Sequence, residues 1–354
     1  MHSLTKTQTG GITGGIHFAL DRFWWLGYGL SLIFPVTLLL FLLTGPHDLT
    51  HILFWAIPVL LILLLDRYGP SERRQMPRDV PAWFFDGILY LLVLLQLANL
   101  LALGWLVSRL QWSDFSSISI SLAHLLALRF MAGPNACCAA ICPAHELIHR
   151  RNRWQRRLGR LLLTTVCYDH FYVSHKRAHH AYLGGDGDPS TAFQGERFDD
   201  FLRRSFCGQW RRAWAMNRQS VLQGMALELG WIVLQLGLFG PLAALVFLNQ
   251  CYHGIRVLEA VNYFQHYGLT RKDETLPAAA WRNDSALSLF LFMGLSRHAD
   301  HHQRPGIPYP HLKALDTGPT MRRGYLWTAM LVLRRDALFR AEAEQVLLEW
   351  ERAR

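Results

Sequence analysis

Uncharged apolar runs recur along this chain at lengths suited to a lipid bilayer. Phe23 to Thr44, Leu49 to Leu65 and Gly87 to Ser108 contain no charged residue, and Phe115 to Ala144 is interrupted by a single cation, Arg129. A spanning helix needs roughly 20 apolar residues to cross about 30 Å of hydrocarbon, because each backbone amide must find its partner inside the segment. Val221 to His266 is too long for one crossing, and Gly237, Gly240 and Pro241 near its middle predict a tight turn between two helical arms. The pattern therefore predicts an all-α, polytopic membrane protein, a single domain over 1–354. Its six transmembrane helices fall at about 23–44, 49–65, 87–108, 115–144, 221–239 and 241–264.

The basic residues orient these helices, since short loops rich in Lys and Arg remain in the cytoplasm. Arg67, Arg73, Arg74 and Arg78 separate the second and third runs, whereas Gly45 to Asp48 holds no cation and the turn around Trp112 holds only Arg109. Alternation then predicts cytoplasmic regions at 145–220 and 265–354, forming a helical cap, and of the 36 Lys and Arg only Arg109, Arg129 and Arg256 fall elsewhere. Composition agrees: 51% of residues are hydrophobic and 18% charged, against about 25% charged in soluble proteins. The net charge of +10 sits beside the spans without a basic repeat, which predicts contact with anionic membrane lipids and no nucleic acid. The polar, Gly-rich start up to Asp21 shows no small-residue cleavage site, so the first run is expected to be retained.

Six cysteines occur, of which Cys137, Cys138 and Cys142 cluster on one run; this is neither a disulfide framework nor a set of paired C-x-x-C knuckles. A rubredoxin-like iron site is thereby excluded from the chain, and any electrons must come from another protein.

Chemistry is expected from the 17 histidines, nine of which fall in four short segments on the predicted cytoplasmic side. His145 and His149 stand at i,i+4, on one helical face at the end of the fourth run. His175 and His179 repeat that spacing with His180 adjacent, His266 follows Asn262 as the last run ends, and His298, His301 and His302 close the set. Nine imidazoles at a membrane face would be costly to desolvate unless a cation used their lone pairs. They exceed what one zinc accepts, so two metals with open positions are expected, and the ligand type leaves iron, copper and zinc open.

Glu146, Glu259 and Asp300 are the candidate catalytic carboxylates: Glu146 and Asp300, beside ligands, are expected to accept a ring N–H from an imidazole, and Glu259, an intramembrane carboxylate near one helical face with Asn262 and His266, is expected to be functional. Asp186, Asp188 and Pro189 read as a turn, with a metal-site loop as the second reading. Glu228 and His124 read as interhelical polar contacts, Phe23, Trp24, Trp25 and Tyr28 as an interfacial anchor, and Arg150, Arg151, Arg153, Arg156, Arg157 and Arg160 as a face against lipid phosphate.

These four segments resemble the membrane alkane 1-monooxygenases, within the membrane desaturase and hydroxylase superfamily, over roughly Ala144 to Pro305. The Asn-Tyr-x-x-His-Tyr-Gly segment ending at Gly268 is similar to alkane monooxygenases rather than to acyl desaturases. The resemblance implies that His145, His149, His175, His179, His180, His266, His298, His301 and His302 hold two Fe2+ ions on the cytoplasmic side of six spans. It further implies O2 as cosubstrate, an aliphatic substrate taken from the bilayer, and electrons from rubredoxin or ferredoxin with its reductase. Ser174, Ala178 and Gln265 stand where the family more often has Glu, Gly and Glu.

Terminal hydroxylation of an alkane or alkyl chain is the outcome the resemblance implies most directly. Oxidative decarboxylation of a medium-chain fatty acid to a terminal alkene, such as 1-undecene from dodecanoate, stands nearly level with it. A membrane zinc protease is a remote third reading, since His-Glu-x-x-His also fits two zinc ligands and a glutamate base.

Overall fold

The structure is a computed structural model that describes residues 23–269 and 280–353, so the expectation about the first residues lies outside it. Among the described residues the secondary structure is helical apart from two isolated bridges, Ser71 with Ser285 and Arg282 with Thr320. Five helices are long and apolar enough to cross a membrane: Trp24–Thr44, Leu49–Tyr68, Ala82–Ser108, Phe115–His149 and Phe198–Phe239. Local chemistry sets several of their starts. The Asp48 carboxylate accepts from the His51 amide at 3.0 Å, and Asp114 and Ser117 form a reciprocal capping box.

The fifth helix starts earlier than its apolar run. Its 42 residues leave helical geometry at Asn217 (φ −159°, ψ 75°), and the Asn217 side chain accepts from the Ser220 amide at 3.1 Å. Asn217 is thus an N-cap inside the element, and the membrane arm begins within a few residues of the predicted 221. The predicted turn falls at Gly240, whose φ of +88° favours glycine. Beyond it runs Pro241–His266, 26 residues long, with Asn249, Gln250, His253, Arg256, Glu259 and Asn262 along its length. It is long enough to span but more polar than the other five.

Polar side chains tie the membrane helices to the cap. Asp66, near the end of Leu49–Tyr68, accepts from the Ser285 and Ser288 hydroxyls at 3.1 and 2.9 Å and from the Trp327 amide at 3.0 Å. Arg297 donates to the carbonyls of Leu312 and Arg74 at 2.5 and 2.8 Å. These bonds fix the segment that bears the last three histidines.

Two surface expectations need correction. Tyr28 is fully buried and packs edge-on against Phe85, Phe290 and Tyr309 at 5.1 to 5.7 Å between ring centres, so the early aromatic run is core on that side and only Phe23 is well exposed. Three of the six arginines after His149 are engaged internally. Arg150 pairs with Glu146 and Asp86, Arg160 pairs with Asp169, and Arg156 donates to the Arg150 and Arg151 carbonyls. Arg153 and Arg157 stay on the outer side of the amphipathic helix Arg153–Thr164. Glu228 accepts from the Asp169 amide at 2.8 Å, and His124 from the His47 amide at 2.9 Å, both as interhelical polar contacts.

Candidate metal centre

All nine singled-out histidines converge, in two groups. His145, His149, His175, His180 and His301 form one, and His179, His266, His298 and His302 the other; within each, one ligand nitrogen per residue lies within 4.8 Å of the rest. The groups touch, with the His180 and His302 rings 4.6 Å apart.

The helical pair His145 and His149 falls in one group, as i,i+4 spacing predicts. The second pair does not. His175–His179 is a π turn, closed by the His180 amide on the His175 carbonyl, so residues five apart come into register. His175 and His180 therefore share a group, with Nε2 atoms 3.0 Å apart, and His179 turns into the other. A second π turn, Ala136–Ile141, precedes His145 and sets its approach.

The spacing of facing nitrogens is that of ligands to a common ion. Nε2 separations are 3.1 Å for His149 and His175, 3.2 Å for His180 and His301, 3.1 Å for His266 and His298, and 2.9 Å for His298 and His302. Two nitrogens bound at about 2.1 Å and at right angles lie about 3.0 Å apart. The buried Nε2 atoms of His145 and His179 have no hydrogen-bond partner, an arrangement that is costly without a cation. Burial, reinforced by neighbouring imidazoles, pushes His175, His298, His301 and His302 far below the usual imidazole range and His180 to about 2. These five rings are thus neutral donors at physiological pH, and the donor set fits two metal ions.

The carboxylates act differently from expectation. Glu146 takes Arg150 at 2.7 Å and the Tyr309 amide at 3.3 Å, and Asp300 takes Arg304 and, at 2.7 Å, the Lys313 amide. Both anchor neighbouring segments, because an adjacent cation outcompetes a neutral imidazole for an anion. The carboxylate on an imidazole is Asp188, 3.0 Å from His179 Nδ1, which leaves Nε2 facing the second group. Burial would raise the Asp188 carboxyl, but the attraction and hydrogen bond of His179 hold it below its ordinary value. Asp188 also accepts from the Ser190 amide and the Thr191 hydroxyl, so the Gly-Asp-Gly-Asp-Pro turn is a loop of this site. Its proximity to the second histidine segment was the available signal. Glu259 is fully buried and accepts from Tyr168, Gln209 and Asn262 at 2.5 to 3.1 Å.

A small closed cavity of about 10 Å³ touches both groups. His145, His175 and His298 form its polar side, and Ile141, Phe171, Leu258 and Leu295 its apolar side. That volume is near the minimum for one water. Phe171 also stacks on His175 at 4.6 Å, and Cys142, Asn262 and Gln265 complete the lining.

The family model described as fatty acid desaturase matches residues 119–329. Alkane 1-monooxygenase 1 of Alcanivorax borkumensis is 27% identical over 334 residues, covering 88% of this chain and 76% of that protein. Alkane 1-monooxygenase 2 of Pseudomonas aeruginosa is 28% identical over 310 residues, covering 81% and 80%. The xylene/toluene monooxygenase hydroxylase component of Pseudomonas putida is 26% identical over 261 residues, covering 68% of each.

Proposed function

The chain belongs to the fatty acid desaturase family, and from that premise we propose that it is an O2-dependent, di-iron membrane monooxygenase that hydroxylates the terminal carbon of a medium-chain alkane or alkyl group. It is an oxidoreductase with a histidine metal centre. The observation that supports the reading best is the meeting of the five- and four-imidazole groups at one apolar pocket.

The groups would each hold one iron through neutral nitrogen donors, and the bound irons would supply O2 activation and hydrogen abstraction. The chain's own residues contribute position and dryness. Ile141 lies on the candidate span Phe115–His149 and Leu258 on Pro241–His266, so the pocket faces the membrane side of the centre, the direction from which an alkyl end would approach out of the bilayer. Phe171 and Leu295 close it from the cap and exclude water. Asp188 fixes the His179 ring.

We assign Pro241–His266 as the sixth span, with the Arg256 charge met by Asp199 at 3.2 Å. The metal centre then faces the cytoplasm from a bacterial inner membrane, and electrons come from a separate rubredoxin or ferredoxin with its reductase. Among the two aliphatic outcomes, the named relatives favour hydroxylation over decarboxylation. The zinc protease reading loses its general base, because Glu146 is bound to Arg150 at 2.7 Å.

The test is product analysis. Membranes containing the protein, supplied with an electron donor system, O2 and either dodecane or dodecanoate, should convert dodecane to 1-dodecanol, and the purified protein should contain about two irons. Release of 1-undecene from dodecanoate with dodecane untouched would replace hydroxylation by decarboxylation. About one zinc and no O2 consumption would remove the oxygenase reading altogether.

A further inference from the structure

Away from the metal centre, four basic side chains border one apolar groove. Arg129, His253, Arg256 and Arg334 line a half-open space of about 1020 Å³ walled by Leu49–Tyr68, Phe115–His149, Pro241–His266 and Tyr325–Arg352. No Asp or Glu lines it. Arg256 has Asp199 at 3.2 Å, but Arg129 and Arg334 have no acidic partner among the described residues. Cations on a lipid-facing surface without counter-charge are unfavourable, and such residues default to a binding role.

Their level in the molecule is informative. Arg129 lies 14 residues after Phe115 and Arg256 lies 15 after Pro241, which at 1.5 Å per residue puts both about 20 Å from the helix ends distant from the metal centre. Across about 30 Å of hydrocarbon, that is close to the headgroup layer on the metal-centre side, within reach of a long side chain. On the other side of Arg129 lies a second groove of about 390 Å³, formed with Leu125, Leu128, Leu245 and Val246. Arg129 thus stands between two largely apolar channels, with Arg256 and Arg334 bordering the larger one.

We propose that this is a specific site for an anionic diacyl phospholipid of the leaflet nearest the metal centre. The phosphate lies against Arg129, Arg256 and Arg334, and one acyl chain lies in each groove. Guanidinium groups suit a phosphate because they are weakly hydrated and present several donors in one plane. Two channels meeting at Arg129 favour a two-chain lipid over a fatty acid, which would fill one.

The test uses the full-length protein, exchanged into nanodiscs of phosphatidylcholine containing a minor fraction of phosphatidylglycerol, then released for native mass spectrometry. The wild type should retain about one phosphatidylglycerol with a preference of about tenfold or more over phosphatidylcholine. Arg129→Gln and Arg334→Gln should each lower that preference with metal content and circular dichroism unchanged, while Arg129→Lys should keep most of it. Equal retention of both phospholipids by the wild type would overturn the site. So would glutamine variants that hold phosphatidylglycerol as tightly as the wild type, or oleate displacing it mole for mole.

Discussion

The two imidazole groups are built from similar parts and differ in how their rings are held. The first has five rings, including the helical pair His145 and His149 on a buried membrane helix. The second has four, including its own i,i+4 pair, His298 and His302, on the short helix His298–Gln303, and one of them, His179, depends on Asp188 for its orientation. The first therefore has one donor more than the second, so that losing one ring would still leave it four. Redundancy and outer support substitute for each other here. The group with fewer rings is the one with a carboxylate on a ligand.

That contrast is open to attack at several points. The largest expected effect is from His266→Ala or His302→Ala, which should remove the second iron and reduce alkane oxidation by more than 100-fold. His149→Ala should leave measurable iron in the first group, because four rings remain there; iron counting by mass spectrometry with Mössbauer spectra distinguishes the sites, and equal losses would erase the distinction. Next, Asp188→Asn should cost about 10- to 100-fold in iron affinity or turnover, confined to the second site. A change no larger than that of Glu146→Gln would return Asp188 to a simple turn residue.

Smaller in rate, but sharper in meaning, is Leu258→Ala. It enlarges the pocket that touches both groups and should move part of the product from the terminal to the subterminal carbon at unchanged iron content. An unaltered product ratio would place the alkyl end elsewhere. The smallest effect concerns the metal-free protein. Rings kept neutral by burial gain protons only in the unfolded chain once pH falls below about 6.5, so the unfolded state binds more protons and stability declines from there toward lower pH. Thermal unfolding of the stripped protein between pH 8 and 5 reads this directly, and a flat profile would mean that the centre is hydrated without metal.

The positions of the long apolar helices were legible because hydrophobic length is a local property. The runs from Phe23, Leu49, Gly87 and Phe115 all became helices, and the turn fell on Gly240. The sixth helix was legible in length but not in character, since Arg256 is balanced by Asp199 from 57 positions away in sequence. Histidine spacing announced that the rings gather, but not that His179 is the one of its segment to join the other group, because a π turn has no spacing signature distinct from an α turn. Glu146 and Asp300 were misread for a related reason. Sequence proximity to a ligand was visible, whereas the competing Arg150 and Arg304 sit one turn further on, where their side chains reach the carboxylate first.

The turn at His175–His179 also bears on how such a centre arises and fails. A π turn is what remains when one amino acid is threaded into an existing α-helix. Deleting Ala178 would restore ordinary winding with His175 and His180 at i,i+4, still on one face, but would remove the bulge that lets His179 turn into the other group, although every histidine would still be encoded. The division of labour between the two halves thus hangs on a single codon, a kind of lesion that no inventory of ligand residues would register.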